Sequence, residues 1–476
     1  MQFKIPEMKK PFSPVLLILF LTILYFDSFS QTNEKAIGNW SGKLDLPTAK
    51  LEIIFKITED ESGKLSTKMD VPMQGAKDLP VTETVVTGDS LYLTVAMIMG
   101  KYSGMFTTDT IIEGTWKQSG VTFPLTLKKT ITITELKRPQ TPKRPFPYNE
   151  EEVVYVNKKA GIKLAGTLTF PQNGENLPSV ILITGSGAQD RDETIFEHRP
   201  FLVIADFLTR NGFAVLRVDD RGVGSSEGKL GEATSEDFAG DVLAGFEFLK
   251  TRKEINPSKI GLIGHSEGGL IAPMVATKSK DVAFIVLLAG PGIIGQQILY
   301  EQEKLINKAA GMTDDQAQQN KKKQEVIFNI ILTETDSAKR TDRLQKTFTN
   351  GMYFMMTDEQ KKAIDSQIKS VDNVWFKFFL QYDPYPTLVK LRCPVLALNG
   401  EKDLQVPSKP NLAAIEKALT EGGNPNFKTM ELPGLNHLFQ TCETGSINEY
   451  AQIEETISPT VLEILRDWIA NSGLKN

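Results

Sequence analysis

The chain has 476 residues, 40% of them hydrophobic and 24% charged, with 54 basic against 59 acidic side chains and a formal net charge of −5. This composition excludes collagen-like, coiled-coil and disordered classes, and the mildly acidic balance argues against a dedicated nucleic-acid binder; at roughly 150 residues per domain the length suggests about three domains. Two cysteines make neither a disulfide framework nor a cysteine-rich zinc site, and the three histidines, His198, His265 and His437, leave few candidates for imidazole chemistry.

In chain order, Lys9 and Lys10 precede the apolar run Val15–Phe26 and the small residues of Ser28-Phe29-Ser30-Gln31. A basic start, a short apolar stretch and small residues at −3 and −1 describe a secretory signal peptide over residues 1–30, cut after Ser30. The run is shorter than the roughly 20 apolar residues a membrane span needs. An exported protein, periplasmic or extracellular, with no stable membrane anchor after processing is therefore expected. Export permits disulfides, but Cys393 opens one apolar run and Cys442 follows the end of the next. On neighbouring parallel strands they fall towards opposite ends of the sheet, so two free thiols are expected.

From Ile37 to Leu136 short alternating or apolar runs are broken by Gly, Pro and Asp. Leu51–Ile57, Lys64–Met69, Leu91–Val95, Ile111–Trp116 and Thr122–Leu127 each suit a strand, and no long helical period is present. This predicts a small antiparallel β-domain over residues 35–136, a sandwich or up-and-down barrel. Its Trp40 and Trp116 read as core filling in preference to a substrate-binding surface. The proline-rich stretch over 137–150 then predicts an extended, stiff linker and a domain boundary.

The pattern changes after it. Alternating strands over Glu152–Asn157 and Ile162–Thr169 lead to buried apolar strands at Val180–Thr184, Ala214–Val218, Ile260–Ile263 and Ala283–Leu288. Helical stretches at Pro200–Arg210, Asp237–Thr251 and Gly268–Thr277 separate them. About 90 residues with helical signals alone follow, roughly 293–385. Strand and helix alternate again through Val395–Leu398, Leu412–Leu419, Lys428–Leu432 and Val461–Ala470. The fold class is α/β: a doubly wound, mostly parallel sheet over 151–476 with an inserted helical cap.

The strand Ile260–Ile263 runs into Gly264-His265-Ser266-Glu267-Gly268-Gly269 and straight into a helix. A Gly-x-Ser-x-Gly turn between strand and helix is a nucleophile elbow, which lifts the serine hydroxyl above the sheet at the positive end of a helix. The flanking glycines relieve the clashes of so tight a turn. A glycine-rich phosphate loop is the poorer reading, because no Gly-Lys-Ser/Thr follows. Serine needs a general base, and in this arrangement acid and base follow the nucleophile in the chain. His198 precedes Ser266 and His265 belongs to the elbow, which leaves His437, in the loop after the last strand. Asp403, after the preceding strand, is the acid, with Glu401 the weaker candidate. The backbone N–H of Glu267 supplies one oxyanion donor. The loop Thr184-Gly185-Ser186-Gly187 supplies the other, from Ser186 or alternatively Gly187.

These residues resemble the α/β-hydrolase superfamily from about Glu151 to the end. Asp219-Asp220-Arg221-Gly222-Val223-Gly224-Ser225-Ser226 looks like the Asp-x-Arg-Gly-x-Gly-x-Ser turn of its serine-aminopeptidase-like and esterase branches. Gly185-Ser186-Gly187-Ala188-Gln189-Asp190-Arg191-Asp192 is similar to a run in secreted bacterial esterase-like members with an N-terminal β-domain. Many relatives carry His-Gly at the oxyanion loop where this chain has Thr184-Gly185. The resemblance implies a secreted serine hydrolase that cleaves carboxylic esters through an acyl-enzyme, without metal or organic cofactor. An exopeptidase acting on small peptides and a non-catalytic binding protein are the alternatives. The partner is a small-molecule ester or short peptide and not nucleic acid; oligomeric state is left open. Arg191, Asp220 and Arg221, near the site, either grip substrate or, preferably, fix two loops through ion pairs. In the cap, Met352–Met356 and Trp375–Leu380 read mainly as core, and Asn320–Lys323 as a solvated helix face.

Overall fold

A computed structural model of the chain describes residues 33–46, 49–118, 120–130, 136–309 and 311–473, and separates them at Glu135/Leu136 into two compact units. The expected signal segment, residues 1–30, lies outside the described residues.

The first unit is an antiparallel meander. Its strands are β1 (Gly38–Leu46), β2 (Ala49–Glu59), β3 (Leu65–Val71), β4 (Ala76–Pro80), β5 (Glu83–Thr87), β6 (Ser90–Val95), β7 (Gly100–Thr108), β8 (Ile111–Gln118) and β9 (Val121–Thr130). They lie in the order β4-β3-β2-β1-β9-β8-β7-β6-β5. Alternation sends Trp40, Phe55, Leu93, Tyr102, Trp116 and Leu127 to one buried face. Both tryptophans fill this core: the Trp40 indole N–H donates to the Ala36 carbonyl at 2.7 Å, and Trp116 lies 6.2 Å from the Phe55 ring.

The second unit holds β10 (Tyr148–Asn157), β11 (Ile162–Pro171), β12 (Leu177–Ile183), β13 (Ala214–Val218), β14 (Ile255–His265), β15 (Ile285–Leu288), β16 (Val395–Gly400) and β17 (Phe427–Leu432), in the order β10-β11-β13-β12-β14-β15-β16-β17. β10 and β11 are antiparallel, and every pair from β13 to β17 is parallel. Three helices occupy the first crossovers: α1 (Pro200–Arg210), α2 (Ser235–Lys250) and α3 (Glu267–Lys278). Between β15 and β16 come α4 (Gly295–Ala309), α5 (Asp314–Thr333), α6 (Ser337–Thr349), α7 (Asp358–Val371) and α8 (Val374–Gln381); α9 (Ser408–Glu421) and α10 (Pro459–Trp468) complete the layers. One apolar core lies under α2, α3 and α9 and a second under α1 and α10, so the central strands are covered on both faces. This is the doubly wound sheet with a helical insertion that the sequence pattern implies.

One local expectation needs correction. Within the insertion, Ile327, Ile330, Ile331, Leu344 and Leu380 form a core of their own, but Met352, Phe354 and Met355 do not join it. They sit on a single helical turn at 52%, 77% and 72% exposure. A turn of three residues has no second face to bury them. The proline-rich stretch, expected as an extended, stiff linker, is hydrogen-bonded to the rest of the second unit. The Arg138 guanidinium donates to the carbonyls of Phe196, Ala451 and Ile453 at 2.7, 2.8 and 3.1 Å, and Gln140 bonds Ile457 at 2.8 Å. Proline rigidity lowers the entropy lost on docking such a segment.

β14 sits in mid-sheet against the ring of Phe284, which lies where a side chain at Gly261 would go. A Cβ built there meets the ring at 2.2–2.5 Å. Gly261→Ala is therefore expected to cost about 1–3 kcal/mol, read as a lower urea midpoint. Adding Phe284→Leu should return part of that loss.

Candidate active site

Four loops at the carboxyl ends of the parallel strands β12, β14, β16 and β17 meet at one end of the sheet, where open α/β sheets bind their ligands. At the end of β14, Ser266 takes φ 51° and ψ −118°, a conformation that L-residues rarely adopt, and the next residue begins α3. Its N–H donates to the Leu288 carbonyl at 2.8 Å, and its carbonyl accepts from Gly269 N at 2.9 Å. The turn closes because its neighbours lack side chains. A Cβ on Gly264 would lie 2.0 Å from the Gly268 carbonyl oxygen, and one on Gly268 would lie 2.1 Å from that of Ile183. Ser266 is left half-buried at the positive end of the helix.

His437 and Asp403 come from the loops after β17 and β16 and are both buried. His437 Nδ1 lies 2.8 Å from Asp403 Oδ2, while Asp403 Oδ1 accepts from the N–H groups of Gln405 and Val406 at 2.8 and 2.9 Å. The carboxylate is thus fixed by its own loop and fixes the imidazole in turn. Glu401, the weaker candidate for the acid, instead accepts from Gly434 N at 2.9 Å and so ties the His437 loop to its neighbour.

The other two histidines are buried and fully engaged. His198 contacts Thr456 Oγ1 at 2.9 Å and the Tyr450 carbonyl at 3.0 Å. Burial pushes it down to about 4, so it is a neutral core residue. His265 behaves in the opposite way. Burial pulls it down, but the Glu193 carboxylate, 3.0 Å from Nδ1, holds it above the usual imidazole value. Its Nε2 lies 3.0 Å from the His437 carbonyl oxygen.

Glu193 also accepts from Gly185 N at 2.7 Å. That occupies one N–H of the loop expected to supply the second oxyanion donor. Ser186 and Gly187 follow at its exposed tip, where Gly187 takes φ 103°. The loop runs close to the serine, since a Cβ on Gly185 would meet Ser266 Cβ at 3.3 Å. The buried Glu267 carboxylate accepts from Ser235 Oγ at 2.5 Å and from the Trp375 indole N–H of the cap at 2.7 Å. Burial pushes Glu267 up.

The charged residues singled out near the site form loop-fixing pairs. Arg191 bridges Asp219, at 2.7 Å, and Glu152, and Arg221 pairs with Asp241 at 2.7 Å. Asp220 accepts from Thr184 Oγ1 at 2.6 Å and Gln189 N at 3.0 Å. It lines a cavity of about 50 Å³ together with Thr184, Gly185 and Gly187. Cys393 and Cys442 are both free thiols. Glu193 is a site residue that the sequence does not single out. It lies in no motif, and its contacts with Gly185 and His265 are made across 8 and 72 residues.

This arrangement, a serine elbow with an Asp–His pair from later loops on a mostly parallel sheet, defines an α/β-hydrolase. Residues 199–440 match the family described as serine aminopeptidase, S33, and the chain belongs to that family. It is similar to esterase EstD of Thermotoga maritima, with 22% identity over 462 residues, 96% of this chain and 98% of the relative. Among solved structures, the Pyrococcus furiosus esterase Pf2001 is 16% identical, with 71% of this chain and 97% of that one covered and a TM-score of 0.43. Est1E of Butyrivibrio proteoclasticus with ferulic acid bound is 19% identical, with 67% and 100% covered and a TM-score of 0.38.

Burial pushes the Asp220 carboxyl up to about 7, aided by repulsion from Glu193 and Glu267. A raised acid holds its proton in the folded state after the unfolded chain has lost it, so its contribution to stability falls as pH rises from about 4 towards 7. Asp220→Asn, which cannot ionise, should therefore gain on the parent chain between pH 5 and pH 8. Urea midpoints at the two pH values check this.

Proposed function

We propose that the chain is an exported serine hydrolase that cleaves carboxylic esters. Ser266 Oγ attacks the ester carbonyl while His437 takes its proton. Asp403 holds the imidazole in the right tautomer and stabilises its charged form. The backbone N–H of Glu267 and that of Ser186, or alternatively Gly187, stabilise the oxyanion, with the amino end of α3 adding its dipole. The alcohol leaves with the proton from His437. Water, activated by the same imidazole, then releases the acid and restores the serine.

The single observation that carries this reading is the pairing of a left-handed Ser266 at the strand–helix turn with the buried His437–Asp403 contact of 2.8 Å in the expected chain order. The near full-length similarity to an esterase supports carboxylic esters as the substrate class. The family description favours one other reading, an exopeptidase on small peptides. Rates on a p-nitrophenyl ester and on an aminoacyl-nitroanilide, compared in one preparation, separate the two.

Ser266→Ala is expected to abolish hydrolysis of short p-nitrophenyl esters and labelling by a fluorophosphonate; full activity in that variant rejects the assignment. Asp403→Asn should retain the fold and lose about 10⁴-fold in kcat, because the imidazole is then held in the wrong tautomer. For export, the basic and apolar start of the chain predicts that protein recovered outside the cytoplasm begins at Gln31, which amino-terminal sequencing reads directly.

A further inference from the structure

His265 is the residue before the proposed nucleophile, and each of its ring nitrogens faces an atom that accepts hydrogen bonds. Nδ1 lies 3.0 Å from Glu193 Oε1 and Nε2 lies 3.0 Å from the main-chain oxygen of His437. A carbonyl oxygen cannot donate, nor can an ionised carboxylate, and a neutral imidazole carries only one N–H. With one ring proton, one of these contacts would set lone pair against lone pair in a site closed to water. That is costly for a buried polar group. His265 is only 7% exposed and Glu193 only 5%, so solvent does not make up the missing bond. The other histidines are not in this position, since His198 Nδ1 meets a hydroxyl and His437 Nδ1 meets Asp403.

We propose, on the reading of Ser266, His437 and Asp403 given above, that His265 is a permanent imidazolium whose ion pair with Glu193 is the positioning device of the site. One carboxylate then sets two catalytic loops. Glu193 Oε1 takes the Gly185 N–H of the oxyanion loop at 2.7 Å, and through His265 it fixes the main chain of the base. The charged groups facing His265 are Glu193 from the loop after β12, Asp403 from the loop after β16 and His437 from the loop after β17. The His265 and His437 rings are 4.9 Å apart. When His437 gains its proton in the transition state, two cations therefore stand side by side. Glu193 and Asp403 balance them; without Glu193, His265 gives up its own charge as well, and the cost then falls on the positioning of the His437 main chain. Neither His265 nor Glu193 touches the reacting atoms in this scheme; they act through His437 and Gly185.

The three histidines make the charge state directly observable. In the full chain labelled with ¹⁵N-histidine, long-range ¹H–¹⁵N spectra at pH 7 and pH 8 report both ring nitrogens of each residue, with His265→Asn and His198→Gln assigning the signals. Both nitrogens of His265 should be protonated at both pH values. A bare Nδ1 or Nε2 at pH 7 overturns the proposal, whatever any variant does. Glu193→Gln keeps an acceptor for Gly185 N–H but removes the charge. It is expected to cost His265 one ring proton and to lower kcat on a p-nitrophenyl ester about tenfold or more, with KM within about twofold. An imidazolium in the parent chain with unchanged kcat in Glu193→Gln overturns the positioning role. The spectrum needs no turnover. A charged His265 in a chain that hydrolyses no ester therefore rejects the ester reading alone, and a neutral His265 in an active esterase rejects the ion pair alone.

Discussion

The close approach of α3 to β12 and β14 is the constraint on which the proposed chemistry rests. The helix follows its strand with Ser266 alone between them, and the space for that turn exists only because Gly264 and Gly268 have no Cβ. Built side chains there would stand 2.0 and 2.1 Å from backbone oxygens. The serine is held in a left-handed backbone conformation, and the surrounding sheet compensates through buried apolar strands on both faces. Rigid placement of one hydroxyl above the sheet is the outcome. The other loops then need only reach the same point from the ends of neighbouring parallel strands.

They are held there by polar contacts that the sheet does not provide. The Asp403 loop closes on its own carboxylate, Glu401 ties it to Gly434, and Glu193 links the Gly185 loop to the elbow. Buried carboxylates are costly unless fully partnered, and here Asp403 and Glu267 each accept at least two hydrogen bonds, while Glu193 accepts from Gly185 N and contacts His265 Nδ1. Glu267 joins the core to the cap through Trp375, so a change in cap position bears on the residue that follows Ser266.

Much of this is legible in local sequence signals. Buried strands such as Ala214–Val218 and the helix Pro200–Arg210 are bounded by Gly, Asn and Pro and stand in the structure with the same limits. The elbow is legible because it is a motif of six consecutive residues in a fixed strand–turn–helix context. His437 is legible because so few histidines compete with it. The strand Gly100–Thr108 is not, because its two glycines and its threonines and serine dilute the apolar alternation; Gly100 clears the Trp116 ring of the neighbouring strand, and Gly104 clears the Tyr102 ring of its own strand. Glu193 is hidden for another reason. Its meaning depends on residues distant in the chain, and a lone glutamate in a loop reads as solvated until the fold buries it.

The anchored proline-rich stretch bears on how the molecule can be divided. Arg138 and Gln140 saturate main-chain groups of Phe196, Ala451, Ile453, Thr456 and Ile457, and so belong to the hydrolase unit although they precede its first strand. A fragment started at Tyr148 would expose those groups near His198 and the segment leading into α10. A useful dissection of this enzyme therefore begins at Leu136, where the chain crosses from one unit to the other and no guanidinium is lost.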